Sequence, residues 1–355
     1  ERAKRLISSD GSFSQHSINY HRLMLDTYSL VESWRIHRNL PMFSSTMTKR
    51  LAGATRWLET MVDVESGDAP NLGANDSADL LPIAKRDHRD FRPSVQLAAA
   101  LFENRSVFGN GSWNQLLHWL EVPQGLSASS CKSATFDDGG YHVLKRGHNT
   151  AVLRYPRYHF RPSQADALHL DLWCNGSNIL RDAGSYSYNS DKADWYSSCA
   201  AHNTVEFDGH DQMPRVGRFL FGNWLRASEV GSVVENEWTS EASAGYRDSW
   251  GAKHSRRLKL KERELLCEDR LGGTARQAIM RWRLAPGAWV LEGNKIFNSD
   301  IEIEIVSETS LSIRLTSTLQ SRYYLEETRI PVIEVLTSVP SEIKTWVRFS
   351  PDNML

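Results

Sequence analysis

The sequence predicts an α+β multidomain protein in which a helical part precedes an antiparallel β-sandwich. In the first third, apolar residues recur at the spacing of a helix, whereas after about residue 125 they alternate with polar residues. Turn-forming clusters separate the later runs, and no helical period lies between them. A chain of 355 residues is also long enough for two domains. We therefore expect a helical domain over residues 1–125 and a sandwich over residues 126–355.

The longest predicted helix is INYHRLMLDTYSLVESWRIHR, residues 18–38. Its apolar residues recur every three or four positions and predict one buried stripe. That stripe consists of Tyr20, Leu23, Met24, Tyr28, Val31 and Trp34. The same spacing predicts further helices over residues 51–61, 95–102 and 116–120. Residues 67–82 are rich in Gly, Pro, Asn and Asp and predict a long ordered loop, of a kind that is often functional.

The second part of the chain carries the strand pattern. Leucines at positions 168, 170 and 172 alternate with His169, Asp171 and Trp173, which predicts a strand with one apolar and one polar face. The runs IEIEIVSETSLSIRL, RELLCEDRL and TWVRF continue this signal. The turn clusters CNGSN, FDGHD and LGGT favour an antiparallel arrangement over a parallel sheet with crossover helices.

Composition and charge exclude several classes of partner. The chain has 42 basic and 43 acidic residues, a formal charge of −1, which argues against binding of nucleic acid through bulk charge. The longest apolar run, about residues 97–102, is far shorter than the ~20 residues of a membrane-spanning helix. The four cysteines have no CxxC spacing, which argues against a zinc cluster. Oligomeric state stays open.

Four segments of unusual composition occur together. They are DGSFSQHSINYH (residues 10–21), APNLGANDSADLLP (69–82), QADALHLDLWCNGSNILRDAGSYSYN (164–189) and AAHNTVEFDG (200–209). This set resembles the heparinase II/III family of polysaccharide lyases, and RDSWGAKHSRRLKL (247–260) extends the resemblance over nearly the whole chain. The resemblance implies a partial (α/α) helical toroid followed by a sandwich, with an acidic polysaccharide as substrate. It also implies a periplasmic or extracellular location.

The implied reaction is β-elimination on a uronic-acid glycan. A group neutralises the sugar carboxylate, a base removes the neighbouring proton, and an acid protonates the departing oxygen. The resemblance makes Tyr20 the acid or acid/base, and it makes His169 the base or the partner that neutralises the carboxylate. Without the resemblance, Tyr20 is an ordinary core residue, and the side of the strand that carries His169 suits either a cleft or ordinary solvent. If both act on one sugar ring, we expect them within ~10 Å of each other.

Other residues are candidates for binding substrate or metal. The substrate-binding candidates are His16, Asn75, Asp76, Arg92 and His202, although turn-forming and capping roles are alternatives for several of them. Gln164, Asp182 and His202 form a candidate structural metal site, because some family members hold a divalent ion in the sandwich. Gln164 stands where a His ligand is expected, which favours a polar network that includes Asn203. The reaction itself is expected to require no cofactor.

One expected group has no counterpart in the chain. The family positions an Asn on a toroid helix well upstream of the Tyr segment, but only 19 residues precede Tyr20. The first residue is Glu rather than Met, so we expect the chain to be part of a longer enzyme and to be inactive alone. The alternative is a non-catalytic glycan-binding or exopolysaccharide-assembly (capsule) accessory protein of the same fold. Hydrolysis by paired carboxylates is disfavoured, because the strongest motifs converge on Tyr and His.

Overall fold

The computed structural model describes residues 2–83, 85–127 and 132–350. The chain divides into two compact units, residues 1–132 with 136–139, and residues 133–135 with 140–355. Cys131 lies outside the described residues, and Cys174, Cys199 and Cys267 are buried. No helix among the described residues is long and apolar enough to cross a membrane.

The first unit is helical, and the four helices predicted from sequence are confirmed. Its helices are α1 (Arg2–Leu6), α2 (Ile18–His37), α3 (Ser45–Met61), α4 (Arg92–Glu103) and α5 (Gln115–Trp119), with a 3₁₀ turn at Ser112–Asn114. Two short parallel strands, β1 (Arg105–Ser106) and β2 (Leu126–Ser127), complete this unit. Residues 67–82 contain no helix or strand, as predicted for the loop.

The predicted buried stripe of α2 is wrong. Val31 is 42% exposed and Trp34 is 58% exposed, whereas Asn19, Arg22 and Asp26 are buried. The reason lies in what covers the helix: Arg22 donates hydrogen bonds to the carbonyls of Ala78 and His88 in the long segment between α3 and α4. A neighbour made of irregular backbone needs polar partners, so the polar side of α2 faces inward. Of the six predicted stripe residues, only Met24 is fully buried.

The second unit consists mainly of strands arranged in antiparallel sheets. A five-stranded sheet runs β3 (Ala134–Phe136), β4 (Tyr141–Arg146), β5 (Asn149–Arg154), β6 (Leu170–Cys174), β7 (Ser177–Leu180). A four-stranded sheet has the order β19 (Leu311–Gln320), β20 (Thr328–Ser338), β15 (Gln277–Arg283), β8 (Val205–Phe207). An eight-stranded sheet has the order β11 (Arg226–Glu235), β12 (Ser240–Arg247), β13 (Ala252–Leu260), β14 (Glu264–Gly273), β21 (Ser341–Phe349), β18 (Ile301–Ser307), β17 (Lys295–Phe297), β16 (Val290–Glu292).

Smaller elements connect these sheets. The strands β9 (Arg215–Gly217) and β10 (Leu220–Phe221) form a hairpin, and a short helix α6 (Ala193–Tyr196) precedes a 3₁₀ turn at Cys199–Ala201. One hydrophobic core includes side chains from all three large sheets, among them Leu172, Trp282 and Leu258. The strands predicted from IEIEIVSETSLSIRL, RELLCEDRL and TWVRF are confirmed as β18, β19, β14 and β21.

Candidate functional site

The first group of candidate residues lies at the start of α2. Ser17 caps the helix: its hydroxyl accepts a hydrogen bond from the Tyr20 amide at 3.1 Å and donates to the Ala74 carbonyl at 2.6 Å. The amide of Ile18 donates to the Leu72 carbonyl at 3.2 Å. The cap therefore fixes both the helix and the long loop, and it sets the position of the loop residues that follow Ala74.

The loop approaches the helix so closely that one position requires glycine. Gly73 has a φ of +76°, and a Cβ atom built there would lie 2.2 Å from the carbonyl oxygen of His16. His16 itself has a φ of +50°, an uncommon conformation for a non-glycine residue. The half-buried His16 therefore contributes its backbone to the junction between the loop and the helix.

The loop and the helix bring two predicted residues together. The Tyr20 hydroxyl donates to Oδ2 of Asp76 at 2.6 Å, and Oδ1 of the same carboxylate accepts the Ala78 amide at 3.1 Å. Tyr20 is half-buried, so part of its side chain packs against the protein and part is exposed to solvent. A phenol bonded to a carboxylate at this distance has a defined proton position. This pair is suited to proton transfer.

Two other predicted residues of the loop region have structural partners. Asn75 is buried, and its side-chain oxygen accepts the Ser77 amide at 2.8 Å in an Asx turn. Arg92 forms a bidentate ion pair with Asp90, at 2.9 and 3.0 Å, and its guanidinium lies 4.4 Å from the centre of the Trp113 ring. The fork of Arg92 is thus already occupied by a carboxylate.

His21, which follows Tyr20, has a structural environment. Its Nε2 atom is 2.9 Å from the Ala54 carbonyl, so this nitrogen carries the proton and donates. The ring stacks on Trp57 with centroids 4.3 Å apart. Burial lowers the pKa of His21 to about 4, and His21 is therefore neutral at physiological pH.

The second group lies in the sheet unit and is fully buried. Leu168 has a φ of +59°, so β6 starts only at Leu170, and His169 lies just before the strand. All six positions from 168 to 173 are buried, which contradicts the alternative that His169 lies on an ordinary solvent-facing side of its strand. The side chains beyond the leucines are covered too: the Trp173 indole donates to Asp171 at 2.6 Å, and Asn178 donates to the same oxygen at 2.7 Å.

The hydrogen bonds of His169 fix its tautomer. Its Nδ1 atom accepts the backbone amide of Asn203 at 2.9 Å, so the proton of the neutral ring is on Nε2. That nitrogen faces Oδ2 of Asp171 at 3.7 Å. In this arrangement the basic nitrogen of His169 is already occupied.

His202 has the opposite arrangement. Its Nδ1 atom is 2.7 Å from Oδ2 of Asp182, so Nδ1 donates to the carboxylate. Its Nε2 atom is buried and has no hydrogen-bond partner among the residues that the structure describes. Burial lowers the pKa of His202, but the Asp182 charge outweighs it, and the net pKa is raised. For Asp182 burial raises the pKa, yet His202 brings the net value below its ordinary range.

Asn203 joins this network to three neighbouring segments. Its side chain donates to the Leu170 carbonyl at 2.8 Å and accepts the Arg283 amide at 2.6 Å, while its carbonyl accepts from the Arg256 guanidinium at 2.7 Å. Arg256 also pairs with Asp269 at 2.7 Å, and both are fully buried. Sequence reasoning missed Arg256 and Asp269 as supports. The sequence nevertheless indicates that Arg256 is buried, because it alternates in register with Leu258 and Leu260 on the buried side of β13.

The metal candidates are only partly brought together. His169, Asp182 and His202 have ligand atoms within 4.8 Å of one another, whereas Gln164 is buried and its Oε1 has no hydrogen-bond partner among the described residues. Two imidazoles and a carboxylate match the ligands that Zn²⁺ prefers. A metal ion at this position would have to replace the hydrogen bond between His202 and Asp182.

The chain is similar to a known family in sequence and to known proteins in fold. Residues 129–335 match the family described as Heparinase II/III-like, C-terminal. No curated protein sequence matches the chain. Among solved structures, a mutant of heparan sulfate lyase HepC from Pedobacter heparinus is similar, with 17% identity and a TM-score of 0.75 over 98% of this chain and 54% of that one.

Two other solved structures show the same fold. A heparinase III, the BT4657 gene product, has 13% identity and a TM-score of 0.77 over 98% of this chain and 54% of that one. A chondroitin AC lyase from Streptomyces coelicolor A3, in complex with chondroitin sulphate, has 13% identity and a TM-score of 0.58 over 98% and 55%. The chain therefore spans about half the length of these proteins, and the likeness at this identity shows the fold.

Proposed function

Because the chain belongs to the heparinase II/III-like C-terminal family, we propose that it is part of a polysaccharide lyase. Its substrate would be an acidic glycan that contains uronic acid, cleaved by β-elimination. The observation that carries this proposal is the 2.6 Å hydrogen bond from the Tyr20 hydroxyl to Asp76. It gives a half-buried phenol one defined partner, as a proton-transferring tyrosine requires.

The reaction moves one proton off the sugar and one proton onto the leaving oxygen. A base removes the proton from the carbon next to the carboxylate, the electron pair forms a carbon–carbon double bond, and the glycosidic carbon–oxygen bond breaks. In our proposal Tyr20 donates its hydroxyl proton to the departing oxygen. Asp76 holds the hydroxyl in position before the substrate oxygen replaces it as acceptor.

For the base, the hydrogen bonds favour His202 over His169. His202 has a lone pair on Nε2 and a carboxylate behind Nδ1 that stabilises the protonated ring, whereas the lone pair of His169 is taken by the Asn203 amide. We therefore propose His169 as a positioning residue and His202 as the proton acceptor. Both rings are buried, so contact with a substrate requires neighbouring side chains to move.

Product analysis tests the reaction class. The complete natural protein is incubated with heparan sulfate, chondroitin sulfate and a neutral glucan, and both ultraviolet absorbance and new reducing ends are measured. A lyase produces the unsaturated product, which absorbs in the ultraviolet, in equal amount to new reducing ends. Reducing ends without the chromophore would identify a hydrolase and exclude the proposed mechanism.

A specific observation favours a second candidate, a glycan-binding accessory protein of the same fold. The network of His169, Asp182 and His202 is fully buried, as is usual for a structural hydrogen-bond network. In that case the complete protein would bind the acidic glycan and release neither reducing ends nor the chromophore.

A structural divalent ion in the second unit is a separate proposal that excludes His202 as the proton acceptor, because the ion would replace the hydrogen bond between His202 and Asp182. His169, Asp182 and His202 would hold it, and its charge would stabilise the fold rather than take part in the reaction. Metal analysis of the purified protein by mass spectrometry, with thermal unfolding before and after chelator treatment, tests it. One equivalent of zinc together with a lower Tm after chelation is the expected result, and a metal-free protein with an unchanged Tm would exclude the site.

A further inference from the structure

An arginine-rich and aromatic surface in the sheet unit has no role in the proton chemistry above. Two segments form it, residues 155–163 (YPRYHFRPS) and residues 213–228 (MPRVGRFLFGNWLRAS). A hydrogen bond from the Ala227 amide to the Pro156 carbonyl, 3.2 Å long, joins them. Neither segment contains an Asp or a Glu. In a chain with nearly equal numbers of acidic and basic residues, this is a local excess of positive charge.

A cavity of about 420 Å³ lies where the segments meet, and its lining is Tyr158, Asn223, Trp224, Leu225 and Arg226. Leu225 is buried, while Trp224 is 40% exposed and its indole N–H donates to the Phe221 carbonyl at 2.7 Å. That bond fixes the orientation of the ring. The volume is in the range of small-molecule sites, and the lining combines an aromatic ring with a few polar groups.

Among the cations of this surface, Arg215 pairs with Asp194 at 3.4 Å, whereas three other arginines form no ion pair with a carboxylate among the described residues. Arg226 is exposed and forms no ion pair with a carboxylate among the described residues. Arg218 donates to the neutral side chain of Asn189 at 2.8 Å, and the guanidinium of Arg161 lies 5.9 Å from the centre of the Phe219 ring. A guanidinium without a carboxylate partner can offer its fork of donors to an anion.

A second cavity in the same unit differs, because its cations lie beside carboxylates. It has a volume of about 230 Å³, and its lining contains carboxylates beside its cations: Glu229, Glu268, Asp269 and Glu342, with Arg256, Arg257, Arg270 and Lys344. Ion pairs within that lining, such as Arg256 with Asp269 at 2.7 Å, leave little charge for a ligand. Of these two cavities, only the first has a lining with a net positive charge.

We propose that the cavity lined by Tyr158, Asn223, Trp224, Leu225 and Arg226, here called the arginine–tryptophan cavity, binds one anionic unit of a saccharide chain. Trp224 contacts the apolar face of the sugar ring, and Arg226 binds its carboxylate or sulfate. Burial raises the pKa of Tyr158, so its hydroxyl stays protonated and polar. The choice of a saccharide rests on the proposed function, whereas the preference for an anion rests on the charges of the cavity.

Isothermal titration calorimetry with the full 355-residue chain tests this, in a Tyr20→Phe background so that no probe is cleaved. The probes are a heparin oligosaccharide, the same oligosaccharide after desulfation, and a neutral maltooligosaccharide of equal length. We expect both anionic probes to bind and the neutral probe not to bind. The two anionic probes then show whether sulfate or carboxylate is preferred. Equal affinity for the neutral probe would overturn the proposal.

Variants assign the binding to the cavity. Arg226→Ala and Trp224→Ala should each weaken affinity about tenfold. Arg226→Lys should weaken it less than Arg226→Ala, because lysine keeps the positive charge and loses only the forked geometry of the guanidinium. Matched controls are Trp238→Ala, at a tryptophan that is 73% exposed, and Arg314→Ala, at an exposed arginine. Folding is checked from the Tm of every variant. Native affinity in the cavity variants would overturn the proposal.

The binding assay and the product assay together distinguish the cavity proposal from the lyase proposal. If binding depends on Arg226 and the complete protein forms no unsaturated product, the cavity proposal holds and the lyase proposal fails. If the unsaturated product forms while Arg226→Ala binds as the native protein does, the lyase proposal holds and the cavity proposal fails.

Discussion

Two buried imidazoles, one in each unit, have opposite surroundings. His21 in the helical unit donates to a backbone carbonyl and stacks on Trp57, and burial lowers its pKa to about 4. His202 in the sheet unit is equally buried, yet its Nδ1 is 2.7 Å from Asp182 and its net pKa is raised. The comparison shows that the partner of a buried imidazole, and not burial alone, decides whether its pKa lies below or above the ordinary value.

The largest expected difference between the two imidazoles is in turnover. His202→Gln in the complete natural protein should lower the rate of unsaturated product formation ~10² to 10⁴-fold, because a general base is removed. His21→Gln should leave that rate within about threefold of the native value, because His21 is not part of the proposed proton transfer. Steady-state kinetics on both variants, with thermal unfolding as the folding control, measures this. A large rate loss in His21→Gln with an unchanged Tm would contradict the comparison.

Asp182→Asn should shift the pH dependence of activity. The Asp182 charge raises the pKa of His202, so its removal should move the acidic limb of the rate–pH profile to lower pH. The maximal rate should also fall about tenfold, because the ring loses its orienting partner. Equal acidic limbs in the native protein and in Asp182→Asn would show that His202 does not set the profile.

A smaller effect concerns stability in acid. The pKa of folded His21 is about 4, below the ordinary 6.5, so between these values the unfolded chain takes up a proton that the folded chain does not. Stability is therefore lost as pH falls from 6.5 to 4, on the order of 3 kcal/mol from this residue. His21→Gln should show a smaller fall in Tm between pH 7 and pH 4.5 than the native chain does.

The control for the acid experiment is His118→Gln, at an exposed histidine of α5. This variant should lose as much Tm as the native chain over the same pH interval. An equal loss in His21→Gln would show that burial of His21 does not contribute to acid unfolding.

Sequence periodicity predicted the elements better than it predicted which faces they bury. The strands β14, β18 and β21 bury alternate residues in a hydrophobic core, so period and burial agree. In α2 they disagree, because the helix packs against irregular loop backbone that requires polar partners such as Arg22. Hydropathy contains no information on that neighbour.

For the candidate residues too, the sequence identified which residues matter better than it identified their contacts. Motifs identified Tyr20 and Asp76, and the structure brings these two into contact. The motifs also identified His169 and His202, but only hydrogen-bond geometry shows which nitrogen of each ring is occupied. A tautomer depends on groups distant in sequence, such as the Asn203 amide, which is 34 positions from His169. The expected proximity of Tyr20 and His169 remains a prediction.

The most direct test of the lyase proposal is the rate of unsaturated product formation by the complete natural protein and its Tyr20→Phe variant. Phenylalanine keeps the ring and removes only the hydroxyl that bonds Asp76. We predict a rate loss of ~10² to 10⁴-fold with glycan affinity and Tm near the native values, because a proton donor is lost and the binding surface is not. A Tyr20→Phe variant that forms the unsaturated product at the native rate would contradict the assignment of Tyr20.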